Sequence, residues 1–177
     1  TVIWYSEESK AENASDPIVA GSSIVMALQS IVSRNIQPFE PAVVTVGAFN
    51  SGTASNIIPN EAELIVGIRS FDPDTRDFLE NRIHQIVEYQ AQSYGMTASV
   101  NYLRSYDAMV NHKTETGFVR EQAAAFLGSG KVVDLEQPSM GSEDFSYMLQ
   151  ACPGCMFMLG TGRSDDTNLP LHHPRYD

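Results

Sequence analysis

AVVTVGAFNSGTASNIIPNEAELIVGIRSFDP, residues 42–73, decides the fold. Its first eight residues, 42–49, are rich in Val, Thr and Phe, which favour a pleated, half-buried surface, and they predict a strand. A polar connector, NSGTASN, follows. In residues 61–70, Ala62, Leu64, Val66 and Ile68 then alternate with Glu61, Glu63, Ile65, Gly67 and Arg69. A period of two places one set toward a core and turns the other, with Arg69, to the opposite face. The stretch closes on Asp72–Pro73, a helix start in which a carboxylate can cap free amides and the proline ring presets φ.

The same device stands upstream at Asp16–Pro17, followed by Ile24, Val25, Leu28, Ile31 and Val32 at helical spacing, which predicts a helix over 17–34. Downstream, Phe78, Leu79, Ile83, Ile86, Val87 and Tyr94 predict a second helix over about 74–94, ended by Gly95. TVIWY at the start and TASVNYL at 97–103 complete the series as strands. The order β-α-β-β-α-β within residues 1–105 is that of an α+β, ferredoxin-like unit, a four-stranded antiparallel sheet with two helices on one face. Its edge strands are open to pairing.

Beyond Arg104 the pattern changes. A helix is expected from about Thr116 to Leu127, a short strand at KVVDL (131–135), a short helix in GSEDFSYMLQ (141–150) and a strand at CMFMLG (155–160). The tail from Thr161 is polar. These pieces make only part of an α/β sheet, so residues 106–177 are expected to be an incomplete α/β portion.

The 177 residues are 42% apolar and 19% charged, a globular composition. Twenty-two acidic residues against 11 basic ones give a net charge of −11 with no basic stripe, so a nucleic-acid surface is not expected. No apolar run reaches the length of a membrane span, and no membrane partner is expected. The two cysteines, Cys152 and Cys155 in CPGC, could supply half of a zinc site or a redox pair. The motif lies between a helix and an apolar stretch rather than opening a helix, which favours two reduced thiols and a cytoplasmic location.

Several residues invite chemistry, each with a bland alternative. His172 and His173 could bind a metal or be solvated in their loop. Glu143 and Asp144 could line a metal site or serve as first-turn acids of the helix. Asn56 lies in a loop of small polar residues that could bind substrate or be a wide turn. Arg69 could hold a carboxylate in a bidentate fork or be a solvated strand-end residue. His84 reads as a helix-surface residue, and His112 as a loop residue without an evident partner.

Taken in order, DPIVAGSSIVMALQSIVSRNIQP (16–38), AVVTVGAFNSGTASNIIPNEAELIVGIRSF (42–71), PSMGSEDFSYMLQACPGCMFMLGTG (138–162) and LPLHHPRYD (169–177) resemble consecutive stretches of one family. It is that of the co-catalytic-metal amidohydrolases: hippurate hydrolases, indole-acetyl-amino-acid hydrolases and N-acyl-amino-acid amidohydrolases. The resemblance implies that residues 1–105 are a ferredoxin-like satellite domain that forms a homodimer, and that residues 106–177 are the C-terminal part of the catalytic domain. It implies hydrolysis of the amide of an N-acyl amino acid by a water activated between two divalent ions (zinc, manganese, cobalt or nickel). It assigns His172 as a metal ligand, Asn56 and Arg69 to the substrate, and Glu143 to a supporting position near the metals.

The departures are equally specific. The family's Cys-x-His motif, its Glu-Glu pair and a second metal-binding histidine have no counterpart here, so the chain resembles a fragment without catalytic residues of its own. SEESKAEN (6–13) stands where relatives carry a Gly-His-Ala segment, and the transition-state histidine expected near Glu7 is missing. This leaves a non-catalytic homologue or interaction module, and a metallopeptidase for small peptides, as alternatives.

Overall fold

The computed structural model describes residues 2–4, 15–160, 162 and 173–174, with side chains from residue 15 onward. The chain divides into two compact units. One runs to Ala108 and takes in Leu135–Ser146; the other holds Met109–Asp134 and resumes at Tyr147.

The first unit contains β1 (Val2–Trp4), α1 (Pro17–Asn35), β2 (Ala42–Ser51), β3 (Ala62–Ser70), α2 (Pro73–Ser93) and β4 (Ala98–Val100). Its mixed α/β architecture is one four-stranded sheet in the order β2-β3-β1-β4. Every neighbouring pair is antiparallel. Both helices begin as their Asp-Pro pairs dictate. Asp16 Oδ1 accepts from the amides of Ile18 at 2.8 Å and Val19 at 3.4 Å, and Asp72 Oδ2 accepts from the Thr75 amide at 2.7 Å. The acids satisfy donors that the first helical turn leaves without partners. At the far end of α2, Gly95 takes φ 70°, which lets the Met96 amide turn back to the Ala91 carbonyl at 3.0 Å.

Alternation in β3 turns Ala62 and Leu64 into the core and leaves Ile65 and Arg69 exposed. Ile24, Leu28 and Ile31 of α1 and Leu79, Ile83 and Val87 of α2 meet them, so both helices cover the same face of the sheet. β2 runs two residues further than its β-branched stretch predicts, and a register shift between Val46 and Ala48 marks a bulge at Gly47. That bulge re-aims Phe49, whose ring lies over Gly21 of α1. At 19 residues, α1 is long and apolar enough to cross a bilayer by length and composition, contrary to the expectation that no segment is. Its apolar positions Ala20, Ile24, Leu28 and Ile31 are buried against the sheet, as in the core helix of a globular unit.

Residues 101–108 are tied back onto α2 by ion pairs. Arg104 meets Glu80 and, at 2.6 Å, Asp77, while Arg76 meets Asp107. Tyr102 is half-buried beside His84, ring centroids 6.4 Å apart. Burial, with Glu80 second, raises the pKa of its phenol.

In the second unit, α3 (Lys113–Leu127) starts three residues earlier than its apolar spacing suggests and ends at Gly128. α4 (Phe145–Ala151) spans the border between the units. The strands expected at 131–135 and 155–160 are absent among the described residues. Residues 129–131 form a 3-10 turn, and 155–160 join no ladder. A strand needs a neighbour for its amides and carbonyls, and apolar composition alone does not supply one. Arg120 reaches across to Asp134.

Candidate functional site

Arg69 is the penultimate residue of β3, on the face turned away from the helices. Its Nη1 donates to the Met140 carbonyl oxygen at 2.7 Å. The structure thus brings Arg69 to Met140, 71 positions away in sequence, in the segment that carries Glu143. Within that segment the Gly141 amide donates to Ser139 Oγ at 3.2 Å. Glu143 is half-buried; its Oε1 accepts from the Phe145 amide at 3.3 Å and its carbonyl from the Ser146 amide at 3.4 Å. α4 begins only at Phe145, so Glu143 and Asp144 precede the helix instead of standing in its first turn as expected, and Glu143 meets it from outside through these contacts. Ser146 Oγ, in a residue only 1% exposed, has no hydrogen-bond partner among the described residues.

Asn56 lies in the exposed turn at the other end of the same hairpin. The base of that turn is closed by Ser51 Oγ, donating to the Glu61 carbonyl at 2.7 Å, and by Asn50 Nδ2, donating to Glu63 at 3.3 Å. Seven residue steps of β3 separate Ala62, beside this turn, from Arg69, about 23 Å at the rise of an extended strand. Asn56 and Arg69 are therefore not brought together within one chain.

His172 lies outside the described residues, as do Glu7 and the rest of SEESKAEN. His173 is half-buried. Among the described residues no group of three or more His, Cys, Asp or Glu could hold a metal ion. The described residues thus do not make a dinuclear centre by themselves. His84 is exposed on α2, as its neighbours suggested. His112 has a partner that the sequence concealed: its Nδ1 accepts from the Gly154 amide at 3.2 Å, and its own amide donates to the Gly154 carbonyl at 3.0 Å. Next to it, Asn111 exchanges two hydrogen bonds with the backbone of Met156, at 2.7 and 2.8 Å. An Asn-His pair supplying side-chain partners to backbone 42 to 45 residues on leaves no local signal in sequence. Cys152 is exposed and Cys155 half-buried, both as free thiols.

Comparison with known proteins extends this picture. The chain is 34% identical over 164 residues to an N-acetyl-L-cysteine deacetylase of Bacillus subtilis, covering 93% of this chain and 38% of that protein. It is 37% identical over 166 residues to an N-acetyldiaminopimelate deacetylase of Bacillus pumilus, covering 92% and 42%. A hippurate hydrolase of Campylobacter jejuni is 37% identical over 142 residues, covering 80% and 37%. The chain thus spans about two fifths of the length of these relatives. Among solved structures, a candidate aminohydrolase from methicillin-resistant Staphylococcus aureus superposes with a TM-score of 0.78 at 29% identity, over 99% of this chain and 46% of that one. A dinuclear metal-binding peptidase of the M20 family from Bacillus subtilis superposes with a TM-score of 0.64 at 27% identity, over 86% and 37%. The model of peptidase family M20/M25/M40 matches residues 1–177, and the chain belongs to that family.

Proposed function

We propose that the protein is a metal-dependent amidohydrolase that cleaves the amide bond of N-acyl amino acids, hippurate-like substrates among them. The observation that carries this reading is identity of 34–37% to deacetylases of N-acylated amino acids over more than nine tenths of the chain. In this reading residues 1–105 are a ferredoxin-like dimerisation domain, which the strand order supports, and residues 106–177 are the C-terminal part of a larger catalytic domain. Exposed Phe118, Phe126 and Phe157 support the second assignment, since a larger domain would cover them. The protein works in the cytoplasm as a homodimer, with no nucleic-acid or membrane partner.

The chemistry that two divalent ions would supply, once held in the complete protein, is Lewis acidity and an activated water. His172 contributes one ligand to them, and Glu143 supports the site without binding metal. Arg69 receives the substrate carboxylate. Asn56 reaches substrate from the opposite end of the hairpin, so for both to touch one small molecule they must come from two copies of the chain.

The test uses a longer protein that contains this chain, loaded with metal and assayed on hippurate. His172→Ala is expected to lose bound metal and to lower kcat/KM by orders of magnitude, with circular dichroism unchanged, while His173→Ala stays near the parent. Equal losses, or a larger one at His173, overturn the ligand assignment. The second reading, a non-catalytic homologue serving as an interaction module, is favoured by SEESKAEN in place of a histidine-bearing segment. No hydrolysis of any N-acyl amino acid by the metal-loaded protein would establish it.

A further inference from the structure

Arg69 is already engaged. Its guanidinium holds the neutral Met140 carbonyl oxygen at 2.7 Å, and that carbonyl belongs to the segment Leu135–Ser146, which joins the first unit although its flanks belong to the second. The same segment carries a cost. Ser146 Oγ is buried without a partner among the described residues, and such a hydroxyl favours any rearrangement that would satisfy it. The Arg69 contact is thus one restraint on a segment that has a physical reason to move.

We propose that the Met140 carbonyl is an internal occupant of the carboxylate-binding guanidinium, and that a substrate carboxylate, by taking Arg69, releases residues 139–146. This rests on the assignment of Arg69 to the substrate carboxylate and adds to it a consequence for the segment that carries Glu143. The exchange follows from the chemistry of the two acceptors. A carboxylate offers two charged oxygens in the plane of the guanidinium fork, whereas a peptide carbonyl offers one neutral oxygen to one N–H. Binding at the end of β3 is then reported by the backbone around Glu143.

The experiment follows residue-resolved amide exchange in the 177-residue chain at millimolar hippurate or hippuramide, the latter with a carboxamide in place of the carboxylate. The amides to watch are Gly141, Phe145 and Ser146, each hydrogen-bonded in the present arrangement. Hippurate is expected to speed their exchange roughly tenfold, the scale of losing one charge-assisted hydrogen bond, while hippuramide leaves it unchanged. Arg69→Gln should exchange fast at these amides without ligand and respond to neither compound. Arg69→Lys, which keeps the charge without the fork, should fall between. If hippurate shifts the resonances of Ile68 and Ser70 in an Arg69-dependent way but leaves 139–146 unchanged, the release is wrong and the carboxylate assignment stands. If hippurate and hippuramide act alike, or Arg69→Gln responds as the parent does, the assignment fails and the release with it. Absence of any response to hippurate overturns both.

Discussion

A methyl group built on Gly21 would lie 2.7 Å from Phe49 Cζ, closer than real carbons approach. The clashing atom is the far end of a ring that is 36% exposed, so it can swing outward for one methyl but not for a branched side chain. In Gly21→Ala, a helix-propensity gain of up to about 1 kcal/mol opposes the loss of ring packing, and the net change in urea midpoint should be small. Gly21→Val should destabilise by about 1–3 kcal/mol through overpacking. Equal midpoints for the two variants would show that Phe49 does not lie against α1 in solution. Tyr102 makes a prediction about pH. Its phenol pKa is raised by burial and by Glu80, so the neutral form is the one the fold favours. Its contribution is fully present below the unfolded value near 10 and is lost as pH rises through the higher folded value. Tyr102→Phe should therefore lose less stability than the parent between pH 9 and 11, read as thermal midpoints against pH. The caps at Asp16 and Asp72 are legible because a cap is a local event, complete within four residues. The contacts of Gly21 with Phe49, Arg69 with Met140 and His112 with Gly154 are not, since each depends on chain brought back from 28 to 71 positions away.

Elements of the first unit are legible for a related reason. In α1 and α2 the hydrophobic period and the capping acid agree, in β3 the alternation speaks alone, and the structure keeps each within about two residues of its expected bounds. Stability should follow that pattern. Leu28, fully buried between the helices and the sheet, should cost about 2–5 kcal/mol as Leu28→Ala. Met26, two positions away on the same helix and 72% exposed, should cost less than about 0.5 kcal/mol as Met26→Ala in the same chain. Denaturant midpoints of the pair check this directly, and comparable losses would mean that the outer face of α1 is covered in solution, as a dimer contact would cover it. The stretches 131–135 and 155–160 show the limit of the same reasoning. Their apolar composition suits a strand, yet a strand is a relation between two segments, and among the described residues neither stretch has a ladder partner. Among the described residues the stretch 155–160 is held instead where Asn111 bonds the backbone of Met156. Composition reports that a segment needs burial; it does not report what provides it.

At the scale of the molecule, burial is divided unequally between the two units. Ile24, Leu28, Ile31, Leu64, Leu79, Ile83 and Val87 build one core in the first, whereas α3 in the second buries none of its residues and leaves Phe118 and Phe126 exposed. Apolar burial is the main term that opposes chain entropy, so the free energy needed to open each helix should differ. Backbone amides of α1, α2 and β3 should exchange only through global unfolding, while those of α3 should exchange through local opening at a much lower free energy. Native-state hydrogen exchange across a low-denaturant series separates the two. The exchange free energies of Leu28 and Ile83 should fall steeply with denaturant, in parallel with the global curve, and those of Val119 and Ala123 should be lower and nearly flat. In a longer protein that contains this chain, α3 protection should rise by several orders of magnitude if residues 106–177 complete a larger catalytic domain. Protection of α3 equal to that of α1 in the 177-residue chain alone would show that its apolar side chains are already covered. The division of the chain into a self-sufficient and a dependent unit would then be wrong.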